Sequence, residues 1–497
     1  MYSATTTNLK VNVLNSSGTA VIGSFNLPRA IPSIYTQNAF STVADNKQPF
    51  LSIITSGSNF TVSQNIGQLN NALNASIATA LSIIPLSSPA SGVIVKKDPV
   101  TGAELPVSGT LGPLFTERAE TIGKGKLYVG ISNQNFHFTK FNGTSLNALS
   151  ILYKGNDPSK VTSAETGSAY TTVPATFGVG MDVRLSQNIA FITYGVTENL
   201  DVSLGLPMIH SAVSARTYNG VMYAGNGFLS NGSACWCVST FTPGFPTLTQ
   251  PDINQTSMAK SGLGDVLVRV KGTVLRKSNV VVALGGDLRL PTGDADNYLG
   301  VGTTTVKPFA AVSIYSKPMR NNIVLSPHFD IGWQFSGKSI LGGQLQGTPL
   351  SVTTASGTVN YVGAPFTSTK DFLPDVFTWA AGAEVALGRH NTFVADLLGN
   401  QVGLIHGIPN ASLQTISNLP LPTGPNGDSN GVAVPTKGSA SGLVSDGRVS
   451  FGQYNASLGY KARLVGNLVF NFNLLVRLDD NGLSARISPM FGLGYSF

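Results

Sequence analysis

The sequence has few charged residues. Asp, Glu, Lys and Arg together make up 11% of its 497 residues, against roughly 25% in soluble domains. It also lacks any run of about 18 consecutive apolar residues, which a transmembrane helix needs. A charged soluble surface and a helical membrane protein are therefore both excluded. The remaining structure that satisfies every backbone hydrogen bond in a bilayer is a closed β-barrel, and we predict an all-β fold of that kind.

Cysteine is also rare. The sequence contains two, Cys235 and Cys237. Their spacing strains a disulfide without forbidding it, and two sulfurs do not complete a zinc site. The oxygen-rich loop Pro291–Asn297 could bind Ca²⁺, although a turn rich in Gly and Asp is the simpler interpretation. We predict no bound metal and no cofactor.

The net charge of +7 is not gathered into runs of Lys and Arg. Single cations at strand and turn positions are not typical of nucleic-acid binding, which we do not predict, but they could bias a pore towards anions. The segment Met1–Lys10 shows neither the basic start nor the apolar core of a signal peptide. We expect the sequence to begin after the cleavage site of an exported protein, or at a misplaced start.

From about residue 120 onward, apolar side chains recur at every second position, which is the period of a β-strand with one apolar face. In 321–336, for example, Phe329 and Trp333 share one parity while His328 and Asp330 share the other. Such a strand has one face for lipid and one for a polar lumen. A soluble β-sandwich could alternate in the same way, but it would carry many more Lys and Glu on its outer face.

These segments predict an antiparallel transmembrane β-barrel of about twelve strands. The alternative is fourteen, if 146–153 forms a hairpin with residues near Tyr170. Tight turns fall at one end and longer loops at the other, and a last strand that ends at the periplasm places the tight turns there. The predicted strands are 124–140, 181–196, 200–217, 262–276, 279–291, 302–316, 321–336, 371–388, 391–402, 448–463, 466–479 and 483–497.

Residues 1–115 differ from the barrel region 116–497, because the alternation fades there. Apolar residues at helical spacing predict a helix near 64–84 that ends at Pro85. This segment could plug the lumen, lie across the mouth of the barrel, or form part of a periplasmic unit. A helix on the membrane surface is less favoured, since the segment has no basic flank.

Five short motifs in order resemble the outer-membrane transporters associated with meta-pathway phenol degradation, which are similar in turn to the long-chain fatty acid transporters. The motifs are Gly123–Leu127, Tyr194–Val202, Gly262–Val266, Leu290–Asp294 and Ala395–Gly399. The resemblance implies a bacterial outer-membrane barrel that admits hydrophobic small molecules, including aromatic ones. The first hundred residues depart from the short N-terminal hatch of the fatty acid transporters, and the Asn-Pro-Ala motif is absent.

In a channel, the side chains on the inward parity set the charge and size of the pore. Alternatively, these charges neutralise one another inside the lumen and never touch a substrate. The candidate lumen and selectivity residues are Arg184, Arg269, Lys271, Asp287, Arg289, Lys307, His328, Asp330, Glu384, Asp396, Arg477 and Arg486.

Ligand entry is predicted at aromatic residues of the long loops, namely Phe241, Phe245, Tyr361 and Phe366. Contacts within the folded loops would explain them equally well. The last strand ends in Leu493, Tyr495 and Phe497, which we expect to face outer-membrane lipid and to be recognised by the barrel-assembly machinery.

An enzyme is not predicted. Ser326, His328 and Asp330 share one strand face, but residues two apart on a strand lie about 7 Å from each other, too far to activate a serine. We therefore expect a channel that passes hydrophobic or aromatic small molecules by passive diffusion, with the N-terminal segment as its gate. The alternative is a structural or surface-exposed barrel without transport.

Overall fold

The computed structural model describes most of the barrel and parts of the N-terminal segment. The described residues are 9–14, 20–25, 74–84, 95–97, 104–106, 111–113, 115–162, 169–222, 226–228, 234–236, 239–241, 254–277, 279–316, 323–343, 345–354, 357–388, 390–403, 409–420, 437–448 and 450–497.

Within the described residues, twelve antiparallel strands form a closed barrel, which confirms the predicted fold. The barrel closes where the last strand pairs with the first, with Leu493 opposite Ile131. The strands are β1 Leu127–Phe138, β2 Ala169–Thr197, β3 Leu200–Met222, β4 Asn254–Leu263 continued by Leu267–Lys277, β5 Val280–Arg289, β6 Thr305–Ile314, β7 Ile323–Ser336, β8 Val376–Leu387, β9 Asn391–Val402, β10 Phe451–Arg463, β11 Leu468–Arg477 and β12 Ile487–Ser496.

Strand β4 has two segments because three residues between them, 264–266, leave the ladder. Both segments pair with β3, with Leu263 opposite Met208 and Leu267 opposite Gly205. The Asp265 carboxylate in this break accepts hydrogen bonds from the backbone N–H groups of Gly293 and Val301 at 3.0 and 2.7 Å. It thereby joins the break to the loop after β5.

Further strands extend the sheet beyond the twelve. Leu149–Thr162 pairs with the first half of β2, with Val161 opposite Tyr170, so this hairpin lengthens the wall at its rim. The remaining short strands are Leu9–Leu14, Ala20–Phe25, Val95–Lys97, Glu104–Pro106, Lys140–Phe141, Thr144–Ser145, Asn226–Phe228, Ala234–Trp236, Ser239–Phe241, Lys338–Ser339, Leu345–Thr354, Gly357–Ser368, Asp371–Phe372, Pro409–Pro420, Lys437–Arg448 and Leu483–Ser484.

The outer surface of the barrel carries a belt of exposed apolar side chains. Ile131, Leu284 and Leu458, for example, keep 53%, 53% and 66% of their surface exposed. Outward aromatic rings pair across it, as Trp333 does with Phe377 at 5.9 Å. An outward apolar band with aromatic residues is the surface of a barrel that lies in a membrane.

The interior contains one described helix, residues 74–83, with two 3₁₀ turns at Leu146–Ala148 and Ala295–Asn297 elsewhere in the described chain. Nearly every described helix residue is buried, polar ones such as Asn74 and Ser82 included. Its apolar residues join one core with side chains of the barrel wall. No helix in the described part of the chain is both long and apolar enough to cross a membrane.

Candidate functional site in the barrel lumen

The inward parity of the strands carries buried polar and charged side chains. Arg269, Asp287, Asp330 and Asp396, on β4, β5, β7 and β9, all point inward, and three of them are less than 9% exposed. Buried charge is costly unless it is paired or hydrogen-bonded. The partners of these buried charged side chains therefore define the candidate site.

Their main partner, which we call the strap, is an extended segment that precedes β1; its described residues are 111–113 and 115–123. Its backbone N–H groups donate to the wall: Phe115 to Asp396 Oδ2 at 3.4 Å, Glu117 to Asp330 Oδ2 at 2.9 Å and Ala119 to Ser313 Oγ at 2.9 Å. The three donors lie two residues apart. This is the period of an extended backbone with one edge against the wall.

The two ends of the strap are held in the same way. Leu111 N–H donates to Thr392 Oγ1 at 3.2 Å, and Ile122 N–H donates to Asp201 Oδ2 at 2.9 Å. The Thr121 hydroxyl donates to the carbonyl oxygen of Glu198, in the turn between β2 and β3, at 2.6 Å. The strap thus spans the lumen from β9 to the β2–β3 turn.

Wall cations and hydroxyls bind the carbonyl oxygens of the strap. Lys461 Nζ donates to Pro113 O at 2.7 Å, and Lys271 Nζ donates to Arg118 O at 2.8 Å. Thr273 Oγ1 donates to Ala119 O at 2.8 Å. Backbone groups of the strap are therefore satisfied by wall side chains, as a segment without a sheet partner requires when it is buried.

One strap side chain enters the charge network of the wall. The Glu117 carboxylate lies 2.5 Å from Arg269 Nη1 and 2.8 Å from Lys271 Nζ. Arg269 also binds Asp287 through two hydrogen bonds of 2.6 and 2.8 Å, and Lys307 lies 3.3 Å from Asp287.

These contacts set the charge of Glu117. Burial alone would raise the pKa of this carboxyl, but Lys271 and Arg269 outweigh burial and hold the pKa below its ordinary value of 4.5. A lowered pKa keeps Glu117 ionised at neutral pH, so it neutralises wall cations while the strap is in place.

A second buried cluster lies behind the strap. Ser313 Oγ is 2.8 Å from His328 Nδ1, and His328 Nε2 is 2.6 Å from Glu384 Oε1. All three residues are at most 3% exposed. Although the order resembles a Ser-His-acid triad, Ser313 already accepts the Ala119 N–H, so the cluster holds the strap.

The helix is fixed to another part of the wall. Arg289 Nη1 donates to the carbonyl oxygen of Leu81 at 2.8 Å, near the end of the helix. At its start, Tyr298 Oη hydrogen-bonds to Asn74 Oδ1. A cation on a terminal carbonyl and a hydroxyl at the other end anchor the helix within the lumen.

A cavity of about 100 Å³ remains between the helix, the strap and the wall. Its lining combines charged side chains with aromatic and aliphatic ones, and the guanidinium of Arg269 lies over the Phe309 ring at 5.2 Å. A site of this kind can enclose a small apolar molecule with one polar group. Among its lining residues are Ile84, Phe115, Glu117, Arg269, Asp287, Arg289, Lys307, Phe309, Asp330, Thr378, Leu398 and Asn400.

Most of the predicted lumen residues are brought together around the strap and the helix. Eight of the twelve lie on the inward face of their strands and in these networks: Arg269, Lys271, Asp287, Arg289, Lys307, His328, Asp330 and Glu384. Asp396 belongs with them, since Thr116 Oγ1 also donates to it at 3.2 Å.

Three predicted residues lie elsewhere. Arg184 was expected to face the lumen, but it lies on the outward face, paired with Asp182 at 2.7 Å and with 59% of its side chain exposed. The reason is that β2 turns its apolar residues inward. Arg477 binds Asp479 and the Asn481 carbonyl in the turn after β11, and Arg486 is exposed just before β12.

The predicted entry residues cannot be placed at the level of side chains. Phe245 lies outside the described residues, while Phe241, Tyr361 and Phe366 lie in strands of which the backbone is described. The loop at Pro291–Asn297 contains a cap, in which the Asp294 carboxylate accepts from the Asp296 N–H at 3.0 Å. In the described part of the chain no group of three or more His, Cys, Asp or Glu residues is arranged to hold a metal ion.

Several wall residues were not predicted. Lys461, Asp201 and Ser313 all contact the strap. Strand parity would have placed Lys461 and Ser313 inward, because each alternates with apolar neighbours. Strand parity could not have shown that these residues bind the strap. The strap binds mainly through its backbone, which leaves no pattern of side chains in the sequence.

No protein-family model and no curated protein matches the chain. Among solved structures, it is similar to an outer membrane channel from Pseudomonas putida F1, with 11% identity, a TM-score of 0.36 and coverage of 76% of this chain and 98% of the other.

Two further solved structures are similar at the same level. A FadL homologue from Pseudomonas aeruginosa has 11% identity, a TM-score of 0.29 and coverage of 83% and 98%. The toluene transporter TbuX from Ralstonia pickettii has 10% identity, a TM-score of 0.31 and coverage of 76% and 90%. TM-scores of this size do not establish a common fold, so the barrel is defined by its own strand pairing.

Proposed function

We propose that this chain is an outer-membrane channel through which small hydrophobic or aromatic molecules diffuse, and that the strap and helix close it until they move. One observation carries the proposal. A closed barrel with an apolar outer belt encloses a cavity that is lined by charged and aromatic side chains of the wall, the helix and the strap.

The proposed orientation follows from the connections. The turns between β2 and β3 and between β8 and β9 are short, and they lie at the end of the barrel where β12 finishes. This end would face the periplasm, as short turns do in such barrels. Leu493, Tyr495 and Phe497 are 43%, 38% and 68% exposed, which suits contact with lipid and recognition by the barrel-assembly machinery.

The proposed path enters between the long loops, where Phe241, Phe245, Tyr361 and Phe366 would collect the ligand, and continues into the cavity. There Phe309 offers an aromatic surface, and Lys307, Arg289 and Asp330 offer polar partners. These residues would select molecules with an aromatic body and at most one small polar group. Lys271, Glu384 and Asp396 would act on selectivity through the position of the strap.

We do not propose catalysis. The Ser313, His328 and Glu384 cluster is buried beneath Ala119, so a substrate carbonyl has no access to the serine while the strap is in place. Catalysis by such a cluster needs a free hydroxyl beside the base and space for the reacting atom.

Uptake of labelled toluene and phenol into proteoliposomes tests the proposal. We expect entry faster than into protein-free vesicles for both compounds, and little entry of a sugar of similar mass. The replacement Phe309→Ala should change the ratio of toluene to phenol uptake, whereas Gln401→Ala, at an exposed outward position, should not. Equal entry with and without the protein would disprove transport and favour a barrel that serves as a surface scaffold.

A further inference from the structure

The outward face of the barrel is not apolar throughout. On β1 and β2 a group of polar side chains takes the outward parity beyond the apolar ones, and we call this group the outward polar patch. Two of its members, Arg184 and His137, keep 59% and 55% of their side-chain surface exposed. The patch consists of Asn133, Asn135, His137, Asp182, Arg184 and Asn188.

The charged part of the patch is organised around Asp182. Arg184 donates to both carboxylate oxygens of Asp182, from Nε at 3.0 Å and from Nη2 at 2.7 Å. His137 Nε2 lies 3.2 Å from Asp182 Oδ1. A bidentate pair fixes the guanidinium in one orientation.

The amide part is also connected. Asn135 Nδ2 donates to Asn133 Oδ1 at 2.6 Å, and Asn133 Nδ2 donates to Asn188 Oδ1 at 2.8 Å. On the adjoining strands β3 and β4, His210 Nδ1 lies 2.7 Å from Ser261 Oγ. The barrel therefore presents a continuous row of mixed donors and acceptors over four strands.

This row begins at the depth of the apolar belt. Asn133 is the register partner of Phe491 on β12, and Asn188 is the partner of Met208 on β3. Phe491 and Met208 are outward and 45% and 52% exposed. Polar amides thus lie level with side chains fit for lipid tails, and an amide in contact with hydrocarbon costs free energy unless a polar group covers it.

We propose that the outward polar patch binds the sugar head of a phosphorylated glycolipid of the lipopolysaccharide type in the outer leaflet. Its acyl chains would lie along Ile131 and Ile192, which are apolar, exposed and nearer the periplasmic ends of the same strands, and along Met208 of β3, which is level with Asn188. The order from apolar to polar along each strand matches the order from chain to head in a lipid. This inference rests on the proposed outer-membrane location and not on transport.

The chemistry of the patch favours this occupant over a second copy of the chain. Sugar hydroxyls both donate and accept, and the patch offers both kinds of partner, because its amides donate and accept, its carboxylate accepts and its guanidinium donates. Protein interfaces are anchored by large aromatic side chains, and the patch contains no Trp, Tyr or Phe.

The test measures binding to the purified full chain in detergent micelles. Deep-rough lipopolysaccharide and phosphatidylglycerol are titrated separately, and the bound lipid is counted by native mass spectrometry. We expect lipopolysaccharide to bind at least tenfold more tightly than phosphatidylglycerol. The double variant His137→Ala with Arg184→Ala should lose about tenfold in affinity for lipopolysaccharide, and Gln401→Ala, on the outward face of β9, should lose nothing.

Folding of each variant is verified by its heat-dependent mobility on gels, and Asp182→Asn, which keeps the shape of the side chain, serves as a second variant with an expected loss of about threefold. Equal binding of both lipids, or unchanged binding in both variants, would overturn the proposal. So would dimers of the parent chain that disappear in the double variant without any lipid. Toluene uptake by the double variant should equal that of the parent, so failure of this inference is distinguishable from failure of transport.

Discussion

At the scale of single residues, Glu117 has more partners in the wall than any other strap side chain described above. Its carboxylate compensates Arg269 and Lys271, and its backbone N–H binds Asp330. Breaking one side of a buried ion pair is costly because the other charge is left uncompensated. The closed state should therefore depend strongly on this side chain.

We expect Glu117→Gln to open the channel. Loss of the carboxylate should destabilise the bound strap by about 3 kcal/mol, since removal of one partner of a buried pair typically costs 3–5 kcal/mol. Ion conductance in planar bilayers should rise by more than tenfold. Glu198→Gln is the matched control, because that side chain is exposed and only its backbone carbonyl binds the strap. Equal conductance in the two variants would contradict the role assigned to Glu117.

Gly399 lies in the barrel wall beside Trp379, so a larger side chain at this position shows how tightly the wall is packed. A Cβ at this position would lie 2.2 Å from Trp379 Nε1, whereas a Cβ at Gly286, also outward, would meet nothing within 4 Å. We expect Gly399→Ala to lower the free energy of unfolding by about 1–3 kcal/mol through overpacking, and Gly286→Ala to be neutral. Urea unfolding in vesicles measures both, and equal midpoints would show that Trp379 can move without cost.

At the scale of elements, strand alternation predicted much of the barrel. The predicted segment 391–402 is observed as Asn391–Val402, and 321–336 as Ile323–Ser336. The pairing could be inferred because neighbouring strands in such barrels follow one another in sequence. Alternation defines two faces of a strand, however, and does not by itself state which face meets lipid.

Strand β2 shows why the prediction that Arg184 faces the lumen was wrong. Met181, Val183 and Leu185 are apolar and 2–5% exposed, because they face a lumen that is filled by the helix residues Ile77 and Leu81. In an open pore this parity would be polar. The filling comes from a segment far away in sequence, so the local pattern could not report it.

The strap is an element without a side-chain pattern of its own, since its backbone N–H and carbonyl groups make most of its bonds to the wall. Ala119→Pro removes the N–H that binds Ser313, and an unsatisfied buried partner costs about 1–3 kcal/mol. We expect amide hydrogen exchange at 115–122 to accelerate about tenfold or more while the barrel strands stay protected. Ala119→Gly keeps the donor and should exchange like the parent, and faster exchange there would show that packing rather than the bond holds the strap.

At the scale of the whole molecule, two inner elements fill one barrel in different ways. The helix fills space and packs with apolar wall residues, whereas the strap satisfies polar wall residues. Water could replace the strap as a partner for charges, but it could not replace the helix in the apolar core without loss of stability. Removing each element should thus have a distinct effect.

We expect deletion of residues 1–110, which removes the helix and leaves the strap, to lower thermal stability more than it raises conductance. Deletion of residues 1–123 should also free the charged wall, and conductance should then rise by at least a further tenfold. Single-channel recordings together with heat-dependent gel mobility measure both effects. The same conductance in the two deletions would show that the strap does not limit the pore.

The pairing of β12 with β1, which closes the barrel, also affects the order in which the chain can assemble. The strap directly precedes β1, the first barrel strand to leave the ribosome, whereas β12 is the last. Until β12 pairs, the sheet is open along one edge, so the strap can reach its wall sideways rather than by threading through a finished ring. The barrel can therefore be assembled around the strap, with wall charges meeting their partners before the water in the lumen is enclosed.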